Sequence, residues 1–345
     1  MNFLEDLALA PYTSFRIGGP ARWFAEASTE EEVLEGVSFA RKRGLPLFIL
    51  GGGSNLLVSD QGFPGLVLHI ALPGIFTERQ GGRRIFRIGA GESWDGVVAR
   101  AVAENCAGVE CLSGIPGSAG AAPVQNIGAY GQEVSQTILE VRVLDLQSLQ
   151  FTSMSNADCR FAYRQSVFNS DLHNRFVITR ADFSLEVDGS PALVYEDLKP
   201  YFKNRTPSLA EVREAVLRIR QRKGMLIVPG EPDSLSAGSF FKNPIVSCDV
   251  LDRIAQVLDR PQESIPRYPA GSGKVKLPAA WLLEQAGFSR GYSLGQAAIS
   301  SRHTLALVNR GHARAADIIA LRDTISSTLA DRFGIRLEPE PVWIE

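Results

Sequence analysis

The apolar run Leu47-Phe48-Ile49-Leu50 follows Pro46 and ends in three consecutive glycines, Gly51-Gly52-Gly53, before Ser54-Asn55. A short apolar run bounded by breakers reads as a buried strand. A strand that runs straight into three glycines delivers bare backbone at its end. Without Cβ atoms in the way, successive N–H groups can approach an anion closely and turn toward it. The dinucleotide fingerprint G-x-G-x-x-G is not met, because its third place falls on Leu56. Leu56-Leu57-Val58 also resumes a strand where that motif opens a helix, which argues against a Rossmann site. Gly271-Ser272-Gly273-Lys274 fails as a P-loop, since Tyr268 and Val275 stand where Gly and Ser or Thr are required.

A second glycine-rich stretch, 113–131, is built almost entirely of small residues. It contains Ile115-Pro116-Gly117-Ser118-Ala119-Gly120 and closes on Gln125-Asn126-Ile127-Gly128-Ala129-Tyr130-Gly131. Either this loop packs tightly against another element, or its backbone is itself a binding surface. Two such loops could clamp one pyrophosphate, with Gln125, Asn126 and Tyr130 offering polar groups and a ring to a heterocycle.

The rest of the chain alternates helix and strand signals. Thr29 and Glu32, like Ser28 and Glu31, form a capping box ahead of Val33, Val37 and Ala40, with Gly44 as the stop. Strands are expected at 56–58, 83–89, 141–145 and 176–179, and helices at 95–105, 249–258, 278–286 and 315–333. A helix opening at the Ser208–Glu211 capping box ends in Arg218, Arg220, Arg222 and Lys223. These cations suit a helix C-terminus, and they equally suit a diphosphate. The pattern predicts an α+β protein, and 345 residues suggest roughly two or three domains. The expected domains are 1–205, split into subdomains of about 1–75 and 76–205, then 206–334, then a terminal segment 335–345.

Composition removes several alternatives. A net charge of −2 offers no global field for nucleic acid. No run approaches the roughly 18 apolar residues of a membrane helix, and the acidic start Met1-Asn2-Phe3-Leu4-Glu5-Asp6 is unlike a signal peptide. Cys106, Cys111, Cys159 and Cys248 make no C-x-x-C pair, and His69, His173, His303 and His312 show no metal-ligand spacing. No metal site is expected, and the cysteines suit a reducing cytoplasm.

Taken together, Gly51-Gly52-Gly53-Ser54-Asn55, Ile115-Pro116-Gly117 and Gln125-Asn126-Ile127-Gly128-Ala129-Tyr130-Gly131 resemble the FAD-binding half of the UDP-N-acetylenolpyruvoylglucosamine reductase family. Three further segments resemble it in the same order: Cys159 to Ser166, Ala237 to Pro244, and Leu337 to Val342. The resemblance implies a vanillyl-alcohol-oxidase (PCMH)-type FAD domain of two subdomains, followed by a C-terminal α+β substrate-binding domain whose tail returns to the active site. It implies non-covalent FAD, since the glycine loop carries no His or Cys, held by residues 51–55, Ile115, Pro116, Gly117, Ser118, Gln125, Asn126, Gly128, Ala129 and Tyr130. NADPH would be the electron donor and UDP-N-acetylglucosamine enolpyruvate the substrate. Arg164, Ser239 and Glu340 resemble the family's catalytic residues: Arg164 and Glu340 for an enol intermediate, Ser239 as proton donor. Tyr195, Lys242, Asn243 and Tyr268 look like substrate-binding residues of the longer form of the family, with Lys242 or a water near Ser239 to support the emerging alkoxide. A cytoplasmic monomer is expected.

Overall fold

The computed structural model describes residues 1–345 apart from Tyr195, Glu196, Asn204 and Ser272. Contacts divide the chain into two compact units. The first comprises Met1–Leu7, Ala21–Gly53 and Phe63–Gln221; the second comprises Ala8–Pro20, Ser54–Gly62 and Arg222–Glu345.

Among the described residues the first unit contains two sheets of four or more strands, beside a two-stranded hairpin. In the smaller, the strand order is Leu4–Ala8, Pro20–Ala27, Phe63–Ile70, Leu47–Leu50. Phe63–Ile70 runs parallel to both of its neighbours, Pro20–Ala27 and Leu47–Leu50. Helix Glu30–Arg43 covers this sheet through Val33, Val37 and Ala40. Thr29 accepts the Glu32 N–H at its start, and Gly44 closes it in the left-handed conformation that favours glycine. Gly36 lets it sit close: a Cβ there would fall 2.7 Å from a Leu68 methyl.

The larger sheet is antiparallel, in the order Gln150–Ser155, Ile138–Asp145, Phe176–Val187, Arg83–Gly89, Ile75–Gln80, with Cys106–Ala107 pairing with Phe176–Val187 off that path. Helix Trp94–Ala103 buries Trp94, Val97, Val98 and Ala101 in the shared core of this unit. Arg142 on the large sheet donates two bonds, of 2.7 and 2.8 Å, to Glu30, and Thr179 donates a third of 2.7 Å. This fork ties the covering helix of one sheet to the face of the other.

The second unit has two three-stranded sheets. One pairs Lys274–Lys276 with Ile245–Ser247 and Tyr268–Pro269; the other pairs Ala297–Ile299 with Ser293–Leu294 and Leu307–Asn309. Helices Cys248–Leu258, Ala279–Gln285 and Ala315–Phe333 pack over its core, which includes Phe240, Phe241, Leu282, Ile318 and Phe333.

The expected domain limits differ from these units in two respects. Residues 8–20 and 54–62 belong with the C-terminal half, because Phe15, Ile17 and Leu57 fill its core. The Phe15 carbonyl also accepts from Asn309, and the Asp60 carboxylate accepts the N–H groups of Ala315 and Ala316 at a helix start. The join also falls after Gln221 rather than near 205. Helix Leu209–Arg222 packs Val212, Ala215, Val216 and Ile219 against Cys111, Tyr130, Leu198 and Phe202.

Candidate active site

In the first unit the two glycine-rich loops touch. A Cβ on Gly52 would lie 2.6 Å from the Gly117 Cα and 2.8 Å from the Ser118 nitrogen; one on Gly51 would lie 2.9 Å from the Ser118 Oγ. No other residue type allows this approach. The second loop is pinned from behind: Trp94 N–H donates to the Gly117 carbonyl, Ala119 N–H to Glu92, and Gly120 N–H to Ala90.

Among the described residues, no backbone acceptor receives the N–H groups of Gly51, Gly52, Gly53, Ile115, Gly117 or Ser118. The Ser118 hydroxyl is buried and has no partner among the described residues. Buried polar groups are ordinarily paired, so a cradle of donors with an orphaned hydroxyl marks an anion-binding surface.

Gly114 is gripped from both sides. Its N–H donates to Asp95 at 2.6 Å, and its carbonyl accepts from the Arg220 Nε at 3.1 Å. Arg213 holds both oxygens of Asp95 at 2.6 and 2.8 Å. Burial pushes the Asp95 carboxyl up, but Arg213 and the Gly114 N–H outweigh it and leave it below its usual range. Arg220 is itself buried; burial lowers its pKa, partly offset by the Tyr130 hydroxyl it bonds and by nearby Asp95. Within the basic helix end, Arg218 is by contrast exposed and paired with Glu214. Helical spacing from Val212, Val216 and Ile219 places position 220 on the buried face, a signal legible in the sequence. Asp95 and Arg213 carry no such signal.

Gly128-Ala129 and Gln132-Glu133 form a tight hairpin whose central residues, Tyr130 and Gly131, both have positive φ. That conformation suits the twist of a two-residue hairpin and is unusual for tyrosine. Asn126 donates to Glu133 and to the Ala162 carbonyl and accepts from the Ser135 N–H. Its side chain is therefore spent on the protein, bracing the turn that carries Arg164.

That turn is closed by reciprocal bonds between Ala162 and Gln165. Of its central residues only Arg164 has positive φ, at 56°, the place where a type II turn prefers glycine. The Arg164 Nη2 donates to the Gly128 carbonyl at 2.8 Å, and the guanidinium lies 5.4 Å from the Tyr163 ring centre. A strained backbone here aims a half-buried guanidinium at the end of the glycine-rich segment.

In the second unit the Ser239 segment and the tail run side by side. Glu340 N–H donates to the Phe240 carbonyl at 2.8 Å, Lys242 N–H to the Glu338 carbonyl at 2.9 Å, and Phe241 faces Pro339 in an antiparallel bridge. Asn55 secures the tail again: its amide donates to the Glu340 carbonyl at 3.0 Å, and its own carbonyl accepts from Val342 at 2.9 Å. Strands Leu56–Val58 and Val342–Ile344 then pair in parallel. Ser239 and Glu340 are both half-buried.

The Lys242 ammonium is held by Glu338. The Asn243 side-chain Oδ1 accepts from the Ala279 N–H at 2.9 Å and so caps a helix. Tyr268 is 56 % exposed on its edge strand, opposite Lys276, whose ammonium lies 5.9 Å from its ring centre. Tyr195 lies outside the described residues. Among the described residues, no group of three His, Cys, Asp or Glu is placed to hold a metal, and no helix is long and apolar enough to cross a membrane.

Comparison with known proteins matches this division of labour. An FAD binding domain family matches residues 21–148, the span that holds both glycine-rich loops. The C-terminal domain of UDP-N-acetylenolpyruvoylglucosamine reductase matches residues 231–344, the span with Ser239 and Glu340. UDP-N-acetylenolpyruvoylglucosamine reductase of Streptomyces coelicolor is 47% identical, covering 99% of this chain and 90% of its own. That of Thermobifida fusca is 44% identical, covering 99% and 98%. The crystal structure of the Thermus caldophilus enzyme superposes with a TM-score of 0.65, at 24% identity over 100% of this chain and 98% of that one, and supports the fold. The fold is thus an FAD-binding domain followed by a C-terminal α+β domain. Its loops fit the cofactor as well, since the N–H groups that no backbone acceptor receives and the Ser118 hydroxyl are the donors a pyrophosphate needs. The chain belongs to the UDP-N-acetylenolpyruvoylglucosamine reductase family of FAD-dependent oxidoreductases.

Proposed function

We propose that this protein reduces UDP-N-acetylglucosamine enolpyruvate to UDP-N-acetylmuramate, with NADPH as the electron source and non-covalent FAD as the carrier. The observation that carries the reading is the tail laid along the Ser239 segment, which sets Glu340 beside Phe240 in a chain 47% identical to a reductase of this name. The loops 51–55 and 115–118 would hold the FAD pyrophosphate. When bound, FAD supplies a hydride to the terminal vinyl carbon of the substrate.

The chain's own residues handle the charge and the proton. Addition at the vinyl carbon pushes negative charge toward the carbon bearing the carboxylate. Arg164 meets that charge with a guanidinium that cannot be deprotonated and that grips a carboxylate through two parallel bonds. Glu340, acting with Arg164, holds the enol form of the intermediate. The Ser239 hydroxyl gives its proton to the enolate carbon, itself a strong base, so that a weak acid in contact suffices. Tyr195, Asn243 and Tyr268 would contact the nucleotide sugar, Asn243 through the part of its amide not used in capping. The reading carries with it a cytoplasmic, monomeric enzyme.

Anaerobic flavin absorbance tests it. NADPH should bleach the oxidised flavin, and the enolpyruvyl sugar should restore it with formation of UDP-N-acetylmuramate. A Ser239→Ala enzyme should still bleach with NADPH but lose product formation. Equal loss of both steps would remove Ser239 from its role; a flavin that bleaches and never returns with the sugar would remove the substrate.

A further inference from the structure

Asp233 stands on the short 3₁₀ turn Pro232–Ser234, and its side chain is 4 % exposed. It is a buried carboxylate for which the chemistry above has no use. It accepts the Ser301 N–H at 3.1 Å and the Ser301 hydroxyl at 2.5 Å, and the Ser300 hydroxyl bonds it as well. Two guanidinium groups flank it, the Arg302 Nε at 3.7 Å and the Arg310 Nη1 at 3.8 Å. Glu231 holds Arg302 in turn, at 2.8 Å. Burial pushes the Asp233 carboxyl up, but the Ser301 and Ser300 bonds and the Arg310 charge outweigh it and leave it below its usual range. A third segment fits against this cluster. Gly224 has a φ of 65°, and a Cβ there would lie 3.1 Å from the Asp233 Cβ and 3.5 Å from the Ser300 Oγ.

Ser239 follows Asp233 on one short segment, and that segment is fastened at both ends to the same turn, 300–306. Asp233 binds the turn at Ser301, and the Phe240 N–H donates to the Leu305 carbonyl at 2.8 Å. Between these points Ser236 bridges Val308, and the Asn309 N–H donates to the Leu235 carbonyl at 3.0 Å. The turn is itself braced: the Ser300 N–H donates to the Ala306 carbonyl at 2.8 Å, and the Ser300 hydroxyl accepts the N–H groups of Arg302 and His303 at 3.0 and 3.3 Å. Gly238 takes a φ of 74° with open space where a Cβ would stand, so glycine serves the backbone conformation there. Phe240 is then fixed at its N–H by Leu305 and at its C=O by Glu340. The Ser239 segment is thereby tied to both the turn and the tail.

An apolar side chain would fill the place of Asp233 without the cost of burying a charge. What the carboxylate adds is direction, because an N–H, two hydroxyls and two cations converge on it and fix the chain that enters the Ser239 segment. We propose that Asp233 is a positioning residue for proton delivery, holding the Ser239 segment on the 300–306 turn and in register with the tail that carries Glu340. It acts through the backbone. The inference rests on the reading that Ser239 protonates the enol intermediate.

The test is anaerobic stopped-flow absorbance on the FAD-loaded Asp233→Asn enzyme, with the two half-reactions measured apart. Flavin bleaching at saturating NADPH should stay within about twofold of wild type. Reoxidation at saturating enolpyruvyl sugar should slow by about 10- to 100-fold, the range for a reacting group displaced by up to about 1 Å. In the Ser239→Ala background, which already lacks the donor, Asp233→Asn should add less than about twofold, since residues acting as a unit are not additive. If Asp233→Asn does not fold, Ser301→Ala takes its place: it removes one hydroxyl from an exposed position and should show the same split at about three- to tenfold. Ser301→Thr, which keeps the hydroxyl, should then return reoxidation to the wild-type rate. Equal slowing of both half-reactions, an unchanged reoxidation rate, or a full further loss on top of Ser239→Ala would overturn the proposal. A wild-type enzyme that the sugar never reoxidises would strike the proposed function, and this inference with it. A wild-type enzyme that is reoxidised, beside an Asp233→Asn enzyme that behaves identically, would strike the positioning role alone.

Discussion

Ser118→Ala should move apo stability and cofactor affinity in opposite directions. The Ser118 Oγ is buried without a partner among the described residues, and a Gly51 Cβ would come within 2.9 Å of it. Burying a hydroxyl unpaired costs about 1–3 kcal/mol, and alanine removes that cost while deleting only one atom from the packing. The apo protein should therefore melt at the same temperature or higher, by about 2–4 °C for each kcal/mol relieved in a domain of 150–250 residues. With FAD the sign reverses. A hydrogen bond to a charged phosphate contributes about 1.5–3 kcal/mol, so its loss should raise the FAD dissociation constant by about 10- to 150-fold. Differential scanning fluorimetry of apo and reconstituted protein, with fluorescence titration of FAD, reads both quantities. An apo form that melts lower together with an unchanged FAD affinity would refute the reasoning, because it would mean that Ser118 is a structural brace.

Four further substitutions test the reading. Gly52→Ala drives a Cβ to within 2.6–2.8 Å of the Gly117–Ser118 backbone, so one loop must move; FAD affinity should fall by about 5- to 150-fold, the range for 1–3 kcal/mol of overpacking. Gly96→Ala, in a helix with only Ser93 near its Cβ, is the control and should leave FAD affinity unchanged while holding or raising the melting temperature. Arg164→Asn keeps a residue tolerant of positive φ, so the melting temperature should shift by no more than about 3 °C while kcat falls by about 10²- to 10³-fold, as measured by product formation. For Asp95, whose pKa is depressed in the fold, the linked stability is present above its unfolded pKa and is lost as pH falls through the lower folded value. Melting temperature should hold down to about pH 4 and decline below it, with a shallower acid decline in Asp95→Asn than in wild type.

Much of the local structure was legible because its causes are local. The Thr29 cap, the Gly44 stop and the Ser208–Glu211 capping box act within a few residues, and the helices they predict form at 30–43 and 209–222. The long helix 315–333 ends at Gly334 as its sequence requires. The paired glycine-rich loops were legible for the same reason, since only side-chain-free backbone serves two chains approaching within a van der Waals contact. Many of the short strands of the C-terminal half were not, because a strand of three residues is stabilised by its partners and carries no period of its own.

The amino-acid sequence by itself determined the family, the residue types available for the chemistry, and the places where backbone must lie bare. Tertiary structure decided which core each segment serves. Nothing local to Phe15, Leu57 or Asp60 announces that they belong with residues 222–345, because burial and end-capping are satisfied by partners more than two hundred residues away. It also separated Arg220, turned inward onto Gly114, from Arg218, turned outward onto Glu214, and it gave Glu110 three donors from three segments. Hydrogen bonds between distant segments depend on how the chain closes on itself, and a linear pattern does not carry that information.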